Sequence, residues 1–256
     1  MPEKNDLSNL PSSLRVMHES QKKWRYEAWE ATLNNHKNEL EKMLDKINLF
    51  DIWSDGLQNN EAVKRLLPEI FMDGYMSIHF AGYGLYKYAN SCLRSQLETA
   101  LRLIYFSTHP IEFNWWCNGS ASYRSGLGNK DVWGEGYLYF QGLEYVKQFE
   151  GKCSEGQRLF GGSKKVSNIY KKLSTYVHSG MFSFQTKPDE FSPRYKIQDF
   201  KHWRSNFNEI QEYINILLIL SFFKEFKQIR GSDRNKIIQV AITTKYHSKL
   251  QEMFGS

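Results

Sequence analysis

The chain reads as an all-α, multi-helix bundle, and three observations predict it. Apolar residues recur at alternating spacings of three and four over long stretches. Only six prolines interrupt 256 residues. No run of alternating apolar and polar residues is long enough to build a sheet, apart from one short segment discussed below. At this length the chain buries a substantial core, and a composition that is 41% hydrophobic and 15% aromatic excludes disorder.

The elements follow in order. A polar arm, residues 1–12, precedes a long amphipathic first helix over 13–50, which Ser12 or Ser13 can cap. Its apolar seam is Tyr26, Trp29, Leu33, His36, Leu40, Met43, Ile47 and Phe50. His36 lies inside the seam and reads as a tolerated core residue rather than a ligand. Gly56 ends the helix and Asn59 or Asn60 starts the next, which meets a kink or boundary at Pro68. Gly82 and Gly84 make a turn, and a nearly apolar helix runs from Leu85 to Phe106. Pro110 opens a short aromatic helix, "PIEFNWWCNG", and a glycine-rich connector follows it. Helices are expected near Tyr137–Phe149 and from Ser163 to Gly180. The alternating "MFSFQTKPDEFSPRYKIQDF" suggests a small β-hairpin near 181–200. A C-terminal helix pair, 203–253, closes the chain with Gly231 as its break. Residues 13–256 thus form a single helical domain.

Composition limits the chemistry. Cys92, Cys117 and Cys153 are widely separated and form no CxxC, which suits a reducing cytoplasm and implies no cofactor metal. The N-terminus has no apolar core of a secretory signal. The longest apolar run, "YINILLILSFF" at Tyr213–Phe223, has 11 residues, against roughly 20 needed to span a bilayer, and reads as a buried core helix rather than a membrane segment. Net charge is +6, unevenly spread: residues 1–150 carry 16 Lys and Arg against 19 Asp and Glu, residues 151–256 carry 18 against 9. The basic half could face a phosphate backbone or simply be a solvated surface. Gly82-x-Gly84 lacks the third glycine of a nucleotide loop, and the connector after Gly119 does not match a P-loop.

Two polar rows stand out. On the 85–106 helix, Arg94, Glu98 and Arg102 recur every four residues and share a face. Glu98 lies N-terminal to Arg102, the favoured orientation for an ion pair. On the 163–179 helix, Tyr170, Ser174 and His178 are again four apart, with Lys172 six residues before His178. One reading makes the first row a surface ladder and His178 a cation at a helix C-terminus. The other makes them one composite site: Arg94 binds an anion, Glu98 orients Arg94 or His178, the Ser174 hydroxyl helps fix the His178 tautomer, Tyr170, Lys172 and Arg102 hold substrate, and His178 moves a proton. That set suits phosphodiester cleavage without a metal, or recognition of a phosphorylated ligand.

The motifs "LRSQLETALRLIYF" and "YKKLSTYVHSG" resemble a group of bacterial helical proteins with an Arg-x3-Glu helix and a Tyr-x2-Leu-Ser-x3-His helix, a divergent relative of the HEPN superfamily. The matching positions are Arg94, Glu98, Tyr170, Leu173, Ser174 and His178, within a core of roughly 85–185. The resemblance implies a helical bundle, commonly a homodimer, and a metal-independent ribonuclease acting on RNA in a bacterial defence or toxin system. It departs from the ribonuclease members in offering Lys172 where they carry an Arg ahead of the His, and Lys lacks the bidentate fork. A site of this kind could also bind RNA or a nucleotide without cutting it. The competing expectation is a non-catalytic helical module that joins a neighbour-encoded protein such as a larger nuclease or sensor.

Overall fold

The computed structural model describes residues 11–119, 137–177 and 194–254. Among them there are eleven α-helices, one short 3-10 turn and no strand. In chain order these are α1 (Ser12–Gly56), α2 (Glu61–Gly82), α3 (Tyr86–Thr108), α4 (Pro110–Cys117), α5 (Leu138–Gly142), α6 (Glu144–Lys152), α7 (Lys165–Val177), α8 (Ile197–Ser221), α9 (Phe223–Gln228), α10 (Gly231–Ala241) and α11 (Thr244–Phe254).

Helix α1 is longer than its seam suggested and bends. His36 takes φ −140° and ψ 20°, outside the helical range. Beyond the bend, Leu40, Met43, Ile47 and Phe50 are buried as the spacing predicts. Before it, the buried positions are Ala28 and Thr32, while Tyr26 is 66% exposed. There α1 crosses the end of α2 closely: the Thr32 hydroxyl donates to the Gly82 carbonyl at 3.0 Å, and the Trp29 ring of the predicted seam takes the space that a Cβ at Gly82 would need. His36 is a core residue. It stacks on Phe200 with centroids 3.8 Å apart and is held by Glu39 at 2.6 Å and the Tyr195 hydroxyl at 2.9 Å.

Asn60 caps α2 by accepting the Val63 N–H at 3.1 Å. The helix runs through Pro68 without the expected boundary. Gly84, at φ +73°, turns the chain into α3, and α2 and α3 pack as a helical hairpin. At the other end of the chain, α8 is the axis of the core: Ile210 to Leu220 is buried on every side. Buried amides tie it to its neighbours. Gln211 donates to Gln96 at 2.7 Å, Asn206 to Asn90 at 2.7 Å, and Trp53 to Asn215 at 2.9 Å. A buried amide leaves a costly unmet bond if shifted, so these pairs set the register of α8 against α1 and α3.

Two boundaries differ from expectation. Of the hairpin expected near 181–200, residues 181–193 lie outside the described residues, and Ile197–Phe200 is the first turn of α8, where Phe200 and Trp203 pack at 5.4 Å on the core face. The C-terminal pair is instead four helices. Gly231 opens α10 rather than separating two long helices; non-helical backbone at Phe222 breaks α8 from α9, and extended backbone at Ile229 and Ile242 makes the other two breaks. No described helix is long and apolar enough to cross a membrane.

Candidate functional site

Helix α3 buries Leu93, Leu97, Leu101 and Ile104, which leaves the Arg94–Glu98 row on its margin. Helix α7 buries Val166, Ile169, Leu173 and Tyr176 against the bundle, so its Tyr170–Ser174 row sits beside that seam. The two helices pack on each other, and the two polar rows meet along the contact.

The meeting is dense. Arg94 Nη2 lies 2.6 Å from Glu98 Oε1 and donates to the Tyr170 hydroxyl at 2.7 Å. That hydroxyl in turn donates to Glu98 Oε1 at 2.7 Å, closing a three-group ring. Arg94 Nε donates to Ser174 Oγ at 3.1 Å, and the Ser174 hydroxyl donates to the Tyr170 carbonyl one turn back at 2.8 Å. The guanidinium also lies 5.0 Å from the Tyr170 ring centroid, within cation–π range. The Arg94 and Glu98 side chains are 20% and 16% exposed, so the pair is largely withdrawn from water yet still reachable.

Neighbouring groups feel this cluster. Burial pushes the Tyr170 phenol above its ordinary range, and the Glu98 carboxylate adds to that while Arg94 opposes it. Burial pushes the Tyr137 phenol up to about 12, with Tyr170 and Glu98 contributing and a bond from Ser167 opposing. On α2, burial raises the Asp73 carboxyl, partly offset by a hydrogen bond from Ser95 and reinforced by the Glu69 and Glu98 carboxylates. Tyr137 and Asp73 escaped the sequence reading because neither shares a helical row with the motif residues. The only local hint was a carboxylate set among apolar residues in "IFMDGYM".

Arg94, Glu98, Tyr170 and Ser174 are therefore brought together, from positions up to 80 residues apart. Glu98 pairs with Arg94, not with Arg102 as helix orientation favoured. Tyr170 reaches from α7 to bond both Arg94 and Glu98 and so outweighs the few tenths of a kcal/mol that orientation provides. Arg102 is half-buried and makes no ion pair with a described residue. Lys172, two positions on from Tyr170, is exposed and turned away from the cluster. His178 lies outside the described residues, α7 being described to Val177.

The arrangement ties α3 to α7 and leaves a partly exposed guanidinium edge that can hold an anion. No group of three or more His, Cys, Asp or Glu able to hold a metal ion occurs among the described residues. No protein-family model, curated protein or solved structure matches the chain.

Proposed function

We propose that the chain is a HEPN-like effector of a bacterial defence or toxin system that binds RNA and cleaves it by metal-independent acid–base chemistry. The observation that carries the reading is the junction itself: the Arg-x3-Glu row of α3 and the Tyr-x2-Leu-Ser row of α7 are joined through Arg94, Glu98, Tyr170 and Ser174. The cluster has one partly exposed guanidinium, and the second half of the chain carries the positive excess that a phosphate backbone attracts.

In this mechanism Arg94 pairs with the non-bridging oxygens of a phosphodiester, oriented by Glu98 and Tyr170. His178, four residues beyond Ser174 in sequence, takes the proton of the ribose 2′-hydroxyl as its oxygen attacks phosphorus. The P–O5′ bond breaks, and the imidazolium returns the proton to the departing 5′-oxygen. The test is cleavage of single-stranded RNA in EDTA, with growth arrest on induction as a second readout. The parent is expected to cut, and His178→Ala to lose at least about a hundredfold in rate. Full activity in His178→Ala would overturn the mechanism.

A specific feature favours the second reading, a non-catalytic helical module. Arg94, Glu98, Tyr170 and Ser174 satisfy one another, as a structural lock between helices would. In addition, the first turns of α1 expose Leu14, Val16 and Met17, and helix α4 exposes Ile111 and Trp115, apolar side chains a protein partner could cover. Co-purification of a stoichiometric neighbour-encoded protein, with RNA binding that does not weaken as salt rises, would select this reading over the first.

A further inference from the structure

Away from the α3–α7 junction, two polar rows predicted by nothing in the motif reading face each other. Helix α1 presents Glu39, Lys42 and Lys46 at spacings of three and four, and α8 presents Arg204, Asn208 and Glu212 at spacings of four. Between them lies a cavity of about 680 Å³, with the first residue of α7, Lys165, and the α10–α11 corner at Thr243 and Lys245 on its other sides. Its volume falls within the ~300–1,000 Å³ of small-molecule sites.

The charges lining it do not balance. Five cationic side chains face three carboxylates, and the carboxylates are already engaged. Glu39 is bonded to Arg204 and to His36. Glu212 accepts the Thr243 N–H at 2.8 Å, accepts the Thr243 hydroxyl, and pairs with Lys245 at 3.1 Å. Glu209 accepts the Tyr213 hydroxyl at 2.5 Å. Two partly buried ammonium groups have no carboxylate within ion-pair distance among the described residues. Lys46 Nζ has only the neutral Asn208 Oδ1, at 2.7 Å, and Lys165 Nζ only the Tyr246 hydroxyl, at 3.5 Å. Burial lowers the proton affinity of Lys46, opposed by the more distant Glu212 carboxylate. A half-buried ammonium without a counter-ion is costly, and an anion seated between Lys46 and Lys165 removes that cost.

We infer that this cleft binds a nucleotide-sized organic phosphate, a small molecule carrying two or more linked phosphates, through Lys46 and Lys165. Ammonium groups bind phosphate as point charges without demanding a fixed approach. The Asn208 amide and the Ser205 hydroxyl at the cavity wall supply neutral donors. The volume exceeds what inorganic phosphate fills, and the concave shape between two helices suits a compact molecule rather than a continuous nucleic-acid backbone. The inference does not depend on ribonuclease activity. It does link the two regions, because Lys165 begins the helix that carries Tyr170 and Ser174.

Isothermal titration calorimetry of the full chain at 150 mM NaCl with ATP, pyrophosphate, adenosine and a single-stranded RNA 12-mer tests it. ATP and pyrophosphate are expected to bind with submillimolar Kd and ATP the more tightly, while adenosine gives no heat. Lys46→Met and Lys165→Met keep the apolar stems and remove the charges, and each is expected to weaken ATP binding about tenfold. Their melting temperatures confirm that both fold, so that a loss is read as lost contact. Absence of ATP binding, binding indifferent to both substitutions, or an RNA 12-mer that depends on Lys46 and is not displaced by ATP would each overturn the inference.

Discussion

The Tyr170 hydroxyl stands between Arg94 and Glu98, accepting from the guanidinium and donating to the carboxylate at 2.7 Å in both cases. One phenol from α7 thereby closes an ion pair made within α3, and the junction between the two helices depends on it.

Tyr170→Phe keeps the ring and its cation–π contact but deletes both hydrogen bonds. A partly buried guanidinium and carboxylate each lose a partner, which costs about 1–3 kcal/mol. The expected outcome is a lower urea midpoint with an unchanged m-value. Arg94→Lys should lose at least as much, since Lys cannot serve Tyr170, Ser174 and Glu98 together. Unchanged midpoints for both variants would show that the cluster does not hold the helices together.

Asp73 should work against stability at neutral pH. Its carboxyl is raised above 3.8 in the fold, chiefly by burial. Above the unfolded value the folded state therefore holds a proton that the unfolded state releases, and stability falls as pH rises through the folded value. Asp73→Asn is expected to raise the melting temperature at pH 7 and to flatten the profile between pH 4 and the raised value. A variant less stable than the parent at pH 7 contradicts this sign.

His36 has the opposite dependence. Its proton affinity is lowered from the ordinary 6.5 by burial first, then by Arg204 and Lys201, and these outweigh the adjacent Glu39. The neutral ring is the folded form, so its contribution is present above 6.5 and is lost as pH falls, when the unfolded chain binds the proton first. The urea midpoint is expected to drop between pH 7.5 and 5.5, and the drop to shrink in His36→Gln. An equal drop in both proteins would remove His36 from the account.

Gly74 sits where α1, α2 and α3 meet, and a Cβ there would overlap Ile47 Cδ1 and the Gln96 amide. Gln96 is fully buried and bonded to the Ile70 carbonyl at 2.9 Å as well as to Gln211. Gly74→Ala gains up to about 1 kcal/mol of helix propensity but faces about 1–3 kcal/mol of overpacking. The net expectation is a lower melting temperature. A higher one would show that Gln96 moves without cost.

Much of the helical pattern was legible locally. The spacing of Leu40, Met43, Ile47 and Phe50 marks a buried face, Asn60 marks a start, and Gly82 with Gly84 marks a turn. Each of these depends on residues within one or two turns of each other. The polar rows at 94–98 and 170–174 were legible for the same reason, since a period of four places side chains on one face whatever surrounds the helix.

What only the tertiary structure decided is which faces meet. Glu98 chooses Arg94 over Arg102 because a phenol from another helix bonds both members of that pair. The buried face of α1 includes Ala28 and Thr32 because the crossing at Gly82 seats the Trp29 ring over that glycine and ties the Thr32 hydroxyl to its carbonyl. The cleft at Lys46 and Lys165 exists because the rows of α1 and α8, some 160 residues apart, are turned toward each other. Helical periodicity encodes the direction of a side chain from its own axis. The distance and rotation between two axes come from packing and buried hydrogen bonds summed over the whole core, and no local stretch contains that information.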